Sequence, residues 1–316
     1  MKLSELLWEW LYGFHKDNIK IQTFVRYECA INNYFLPHPI SNLNIKKITA
    51  RDIQAFINEK KRKRSRMTKG ALSISSVNII ITVLKSAFGY ALEFGLIKEN
   101  PCDKIRRISS IRQRKEVLAF TVQEQIKIEK YINSLNNPEY FGIILCLYTG
   151  LRIGELLALE WSDIDWETGI MTINKTLYTT KNEKGEWYTE INMPKTKSSV
   201  REIPLPGFVL MELRKLKLKS KSNYVVSKNN GKPMQSKLLR WRFSELTKKI
   251  GVRRLNFHAL RHTFATRALE SGMDVKTLAE IMGHANATIT LNTYAHSMTE
   301  HKKKMMNNLP CLINYQ

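Results

Sequence analysis

Acidic residues are scarce in this chain: 28 Asp plus Glu face 51 Lys plus Arg over 316 residues, a formal net charge of +23. Cysteine is scarce too. Cys29, Cys102, Cys146 and Cys311 lie far apart and form no C-x-x-C pair, which argues against a zinc ribbon or a disulfide framework and for buried free thiols. No apolar run approaches the roughly 18–20 residues of a spanning helix, and the start, Met1-Lys2-Leu3-Ser4, lacks a signal-peptide apolar region. The expectation is a cytoplasmic protein with no membrane partner. Simple repeats and low-complexity stretches are also missing, so the chain has to be parsed by periodicity.

What is present is a folded body that carries the charge. A 43% hydrophobic and 25% charged composition is ordinary for a globular protein and too apolar for a disordered polycation. The length exceeds what one core usually serves, so two domains are expected. Excess Lys and Arg on such a body favour a polyanionic partner, because neutralising phosphates releases counterions.

In the first hundred residues apolar side chains recur at helical spacing. Phe24, Tyr27, Ile31 and Tyr34 or Phe35 form one set; Ile53, Phe56 and Ile57 another; Val77, Ile80, Ile81, Leu84, Phe88 and Ala91 a third, with Gly95 as its stop. A small all-helical bundle follows. Between the second and third helices, Lys60, Lys61, Arg62, Lys63, Arg64, Arg66 and Lys69 place seven positive charges in ten residues. A solvated loop is the bland explanation and phosphate contact the sharper one. Residues 103 to 119 carry Lys104, Arg106, Arg107, Arg112, Arg114 and Lys115 without helical period. This basic linker ends where Thr121 and Glu124 make a T-x-x-E capping box.

The second half is mixed. A helix with Ile128, Tyr131 and Ile132 precedes an apolar run, Phe141 to Leu147, and Gly150 separates that run from another in which Arg152 stands at or near the helix start. A guanidinium among apolar neighbours needs an anion or full hydrogen bonding, and Glu155 is as good a candidate partner as a ligand. Period-2 alternation at Met171 and Ile173, at Trp187 to Met193 and at Val200 to Leu205 predicts a three-stranded antiparallel meander, with Lys195 and Lys197 at its last turn. Helices return at Leu239, Phe243 and Leu246, then at His258-Ala259-Leu260-Arg261-His262. The four-residue spacing of His258 and His262 suits zinc, but position 259 is Ala where a zincin needs Glu, so no metal is expected. A short helix begins at Asp274 and stops at Met282-Gly283-His284; Thr288 is expected to cap a last segment that presents Tyr294.

Taken together, Thr149-Gly150-Leu151-Arg152-Ile153-Gly154-Glu155-Leu156, the H-x-x-R of His258 and Arg261, Met282-Gly283-His284, and Tyr294 ten residues on resemble the tyrosine recombinases of the phage-integrase type. The first domain resembles that family's helical, SAM-like core-binding domain. The resemblance implies a mainly α protein with a small antiparallel β-sheet: a helical DNA-binding domain at 1–102, the linker at 103–119, a mixed α/β catalytic domain at 120–298 and a tail at 299–316. Because the chain starts close to the core-binding helices, the resemblance leads to the expectation of no typical arm-binding domain.

By the same resemblance, Tyr294 is the nucleophile that forms a 3′-phosphotyrosyl link. Arg152 and Arg261 hold the scissile phosphate, His258 and His284 position it and assist proton movement, and Lys195, with Lys197 as the alternative, is the general acid. Glu155 and Asp163 are supports. Such chemistry conserves bond energy and needs no cofactor, in keeping with a sequence without a P-loop. The implied partners are double-stranded core sites and three further copies of the chain in a tetramer on DNA. An excisionase or a host DNA-bending protein is the accessory class. The tail, with Leu309, Leu312 and Ile313, either packs on a neighbouring protomer or frays. Integration or excision of a mobile element is the leading function; an Xer-like resolvase or invertase, a type IB topoisomerase and a non-catalytic DNA-binding regulator are the alternatives.

Overall fold

The computed structural model describes residues 1–16, 18–62, 71–108, 118–135, 137–181, 186–193, 200–228, 230–294 and 306–307. The chain divides into two compact units, Met1–Lys115 with Thr180–Glu186, and Glu116–Thr179 with Trp187–Gln316.

Among the described residues from 1 to 108 the regular elements are all helices. Helix α1 (Leu3–Trp8) runs into a π-helical turn at Glu9–His15; α2 (Ile21–Ala30) runs into another at Ile31–Phe35; α3 (Ala50–Arg62) and α4 (Ile74–Glu93) follow. The third apolar set lies on one buried stripe of α4 as its period demands, every member from Val77 to Ala91 being buried, and Gly95 follows the helix end with φ 68°. By length and composition α4 could cross a membrane. This corrects the expectation that no run is long enough; the buried stripe accounts for its apolarity as core. Helix α1 and the π-helical turn after it escaped the periodicity, although Leu3, Leu6, Leu7, Trp10 and Leu11 are all fully buried. The basic linker begins inside this unit. Ile105 joins its core, and the Asn78 amide of α4 bonds both the N–H and the C=O of Ile108, each at 2.9 Å.

The second unit opens with α5 (Val122–Leu135), capped reciprocally by Thr121 and Glu124 as the T-x-x-E pattern requires. Then come α6 (Phe141–Thr149), α7 (Ile153–Ala158), strands β1 (Ile170–Ile173), β2 (Thr176–Lys181), β3 (Trp187–Asn192) and β4 (Arg201–Pro204), and helices α8 (Gly207–Lys219), α9 (Ser236–Lys249), α10 (Ala259–Glu270), α11 (Val275–Met282) and α12 (Ala287–Tyr294). The predicted meander is wrong. Strand β1 pairs antiparallel with β4, Ile170 opposite Pro204 and Ile173 opposite Arg201, while β3 pairs with β2, a strand the alternation did not reveal. Buried positions in β1 and β4 alternate cleanly; in β3 the residues are exposed or half-buried, so its pattern marked a strand without fixing its neighbour. Helix α8 was also missed. Cys102 and Cys146 are buried free thiols as expected, whereas Cys29 is half-buried.

One large apolar core, from Phe120 through Leu260, fills this unit, and a smaller cluster of Phe264, Ala265, Ala268, Leu269, Leu278, Met282 and Tyr294 joins α10, α11 and α12. The fold is thus mainly helical with a small antiparallel sheet, and both ends of the α10–α12 cluster carry the polar residues of the site.

Candidate active site

Two left-handed glycines build the frame. Gly150 ends α6 with φ 64° and Gly283 ends α11 with φ 63°. A Cβ on Gly150 would also stand 2.5 Å from the Phe264 ring, so this turn is specified by backbone and by space. Each cap turns a carbonyl toward an arginine. Arg261 Nη1 donates to Gly150 O at 2.7 Å, and Arg152 Nη2 donates to Gly283 O at 2.9 Å.

Arg152 is the N-cap residue of α7. Its Nη1 reaches Glu155 Oε1 at 2.7 Å, while Glu155 Oε2 accepts the Arg152 backbone N–H at 2.9 Å. The internal partner is therefore real, yet the Arg152 side chain stays 37% exposed, and two of its five N–H donors are spent on Glu155 and Gly283. Glu155 is buried and serves a second guanidinium: Arg201 donates from Nη2 to Oε2 at 2.9 Å, from Nη1 to Oε1 at 3.2 Å, and from Nε to Ile281 O at 2.6 Å. Burial alone would raise the Glu155 carboxyl; the Arg201 bonds and the Arg201 and Arg152 charges outweigh it and hold the pKa below its ordinary value.

Arg201 was not singled out from sequence. A signal was available, since the alternation Arg201, Ile203 places the arginine on the buried face of β4.

Arg261, in the first turn of α10, is 2% exposed. Besides Gly150 O it donates from Nη2 to Met282 O at 2.7 Å and to His284 Nε2 at 2.9 Å. Because a guanidinium can only donate, His284 Nε2 must accept; His284 Nδ1 then carries the proton it shares with Thr290 Oγ1 at 2.6 Å. Burial, then the Arg261 and Arg152 charges, pulls His284 down to about 4, so the ring is neutral at pH 7. Burial, then the Arg152 charge, brings Arg261 down to about 9, still protonated at pH 7.

Tyr294 ends α12 and is 1% exposed. Its hydroxyl lies 2.7 Å from His262 Nδ1, and the His262 ring meets that of His258 edge-on at 4.7 Å between centroids. Burial pushes the Tyr294 phenol up to about 12 against the opposing Arg261 charge. Asn286, not Thr288, caps α12, its Oδ1 accepting the Thr288 N–H at 2.8 Å. Asp163 supports the turn after α7 by accepting the Glu160 N–H at 2.8 Å and pairing with Lys175 at 3.0 Å.

The structure therefore brings Arg152, Arg261 and His284 into one bonded frame, with His258 and Tyr294 joined to it through His262. Lys195 and Lys197 lie outside the described residues, as do Lys63, Arg64, Arg66, Lys69, Arg112, Arg114, Lys115 and the tail residues Leu309, Leu312 and Ile313. Lys60 stacks over the Phe56 ring, and Lys61 and Arg62 are exposed in the last turn of α3.

Residues 115–301 match the phage integrase family and residues 2–61 match the phage integrase N-terminal SAM-like domain. The chain belongs to the phage integrase family. It is a tyrosine recombinase, an enzyme class that the relatives bear out. The XerC-like tyrosine recombinase of Caldanaerobacter subterraneus subsp. tengcongensis is 31% identical over 97% of this chain and 82% of its own length. The ICEBs1 integrase of Bacillus subtilis is 25% identical over 90% of this chain and 75% of its own. Among solved structures, the Tn1549 transposon integrase in complex with transposon right-end DNA superposes with a TM-score of 0.77 at 27% identity, covering 98% of this chain and 99% of that one. The fold is also that of the lambda integrase tetramer bound to a Holliday junction, with a TM-score of 0.66 at 22% identity over 91% of this chain and 79% of that one.

Proposed function

We propose that this recombinase cuts and rejoins duplex DNA through a 3′-phosphotyrosyl bond at Tyr294 and thereby integrates or excises a mobile element. The observation that carries the reading is the Arg261 guanidinium, buried against two carbonyls and a neutral imidazole with no carboxylate among its bonds. A buried cation with no carboxylate bonded to it invites an anion, and phosphoryl transfer develops its charge on the non-bridging oxygens such a fork can hold. Arg152 supplies the second fork, His258 and His284 position the phosphate, and Lys195 protonates the leaving 5′-oxygen. Lys60, Lys61, Arg62 and the rest of that basic run, with Arg112, Arg114 and Lys115, grip the backbone.

The working form is a homotetramer on core sites, in the cytoplasm, with an excisionase or a DNA-bending protein setting direction. Residues 1–102, 103–119, 120–298 and 299–316 act as grip, strap, catalytic body and tail. The XerC-like tyrosine recombinase supports a second reading, an Xer-like resolvase or invertase of the same chemistry.

The test is covalent capture. Incubating the protein with nicked duplexes randomised over a core segment, then isolating protein-linked DNA, should yield a defined site with wild type and no adduct with Tyr294→Phe. An adduct that survives Tyr294→Phe overturns the assignment. Two selected half-sites in one element's ends favour integration; a single chromosomal or plasmid site favours resolution.

A further inference from the structure

The nucleophile needs somewhere to send its proton, and the histidines of the site are not equally placed to take it. His284 has both ring nitrogens engaged, Nε2 by Arg261 and Nδ1 by Thr290. His258 makes no hydrogen bond to the tyrosine among the described residues; its ring meets His262 edge-on. His262 alone among the described histidines holds a nitrogen at 2.7 Å from the Tyr294 hydroxyl. It follows Arg261 directly on α10, so one helical turn carries both the phosphate fork and the group that touches the attacking oxygen.

We infer that His262 is the general base of strand cleavage, its Nδ1 taking the Tyr294 Oη proton as that oxygen bonds to phosphorus. The inference rests on Tyr294 being the nucleophile. The step balances. The Oη–H bond breaks and the proton passes to Nδ1; the Oη–P bond forms; the P–O5′ bond breaks and its electron pair leaves on the 5′-oxygen, which is protonated by a separate acid, Lys195 under the proposed function. Rejoining runs the same atoms backwards: the 5′-hydroxyl attacks phosphorus, tyrosine leaves, and the imidazolium of His262 returns the proton to Oη.

The surroundings keep the ring neutral, so its lone pair can accept a proton. Burial, then His258 and Arg261, lowers His262 to about 4, so the ring is neutral at pH 7 and one nitrogen carries a lone pair. With the phenol pushed up to about 12, the proton rests on the tyrosine until phosphate arrives. Transfer in step with bond formation is what general-base catalysis requires, and its usual worth is about 10²–10⁴-fold.

The experiment uses full-length protein and the nicked duplex captured with wild type, read by single-turnover adduct formation at saturating protein. His262→Ala should slow the adduct by about 10²-fold or more with unchanged DNA affinity, and added imidazole should restore part of the rate. His262→Asn keeps an acceptor near the Nδ1 position yet cannot take a proton, so it should remain slow with a thermal midpoint near wild type, and it decides the matter if the alanine variant does not fold. A 5′-bridging phosphorothiolate, whose leaving group needs no acid, should leave both variants slow.

Adduct formation within threefold of wild type in His262→Ala overturns the inference, as does a faster rate, which would make the bond a restraint on the tyrosine. Full activity in His262→Asn overturns the proton transfer in favour of positioning. Each of these results leaves the Tyr294 reading standing, whereas an adduct surviving Tyr294→Phe removes that reading itself.

Discussion

The two forks of the site, Arg152 and Arg261, carry the same charge and are held by opposite means. Arg152 is half-exposed and shares the Glu155 carboxylate with the buried Arg201. Arg261 is buried and bonded only to carbonyls and a neutral ring. A carboxylate at 2.7 Å cancels much of a guanidinium's field; carbonyl dipoles orient it and leave the charge in place. The contrast teaches that Arg152 is the accessible arm and Arg261 the fixed source of positive potential.

Substituting each fork is the most direct way to break that comparison. Arg261→Lys keeps a charge but cannot span Gly150 O and Met282 O, so single-turnover cleavage should fall by about 10³-fold, the upper end for losing one preorganised donor. Arg152→Lys retains the Glu155 pairing and should cost about 10²-fold or less. Equal losses would show that carboxylate pairing does not distinguish the two.

A stability measurement sharpens the same point. Glu155→Gln removes the carboxylate charge that pairs with the buried Arg201, and breaking a buried ion pair costs about 3–5 kcal/mol. Urea denaturation should therefore show a marked loss, larger than for Asp163→Asn, where Lys175 retains Glu160 at 2.5 Å. If Glu155→Gln unfolds no more easily than Asp163→Asn, the Glu155 carboxylate is not what stabilises the buried Arg201.

Protons test the other fork. His284 and His262 are lowered to about 4 by burial and neighbouring positive charge, so the unfolded chain, with histidine near 6.5, binds more protons between those values. Stability should be fully present above about pH 6.5 and fall as pH drops toward 4. Glu155, held below its ordinary pKa, adds its own loss as pH falls further. A melting temperature flat from pH 7 to 4.5 would mean that both rings take up protons in the folded state as readily as in the unfolded chain.

Much of this was legible in the sequence, for a physical reason. Helix α4 and the caps at Thr121, Asp274, Gly150 and Gly283 are local: period and terminal chemistry fix them within a few residues. Pairing of β1 with β4 is not local, since strand alternation states a face and leaves the partner open. The motif residues of the site were legible by resemblance. Arg201 and His262 were not, because their roles come from contacts 46 and 32 residues away, to Glu155 and Tyr294. A buried arginine in strand phase is a cue; a second histidine four residues from the first gave only a metal reading.

The smallest expected effect lies outside the site, at Lys61 and Arg62. They occupy the last turn of α3, where cations also favour the helix C-terminus, so their presence alone does not require DNA. Salt separates the two explanations. If both residues touch phosphates, Lys61→Gln with Arg62→Gln should flatten the slope of log K against log salt by about 2, near 0.9 per contact, and leave cleavage of bound complexes within about twofold. If they serve only the helix, the slope stays as in wild type and the variant loses a few tenths of a kcal/mol of stability instead. Either fork of Arg152 and Arg261 should behave inversely, losing cleavage with a change in slope of at most about 1 each, because one guanidinium on one scissile phosphate releases few counterions yet holds the charge on which the reaction turns.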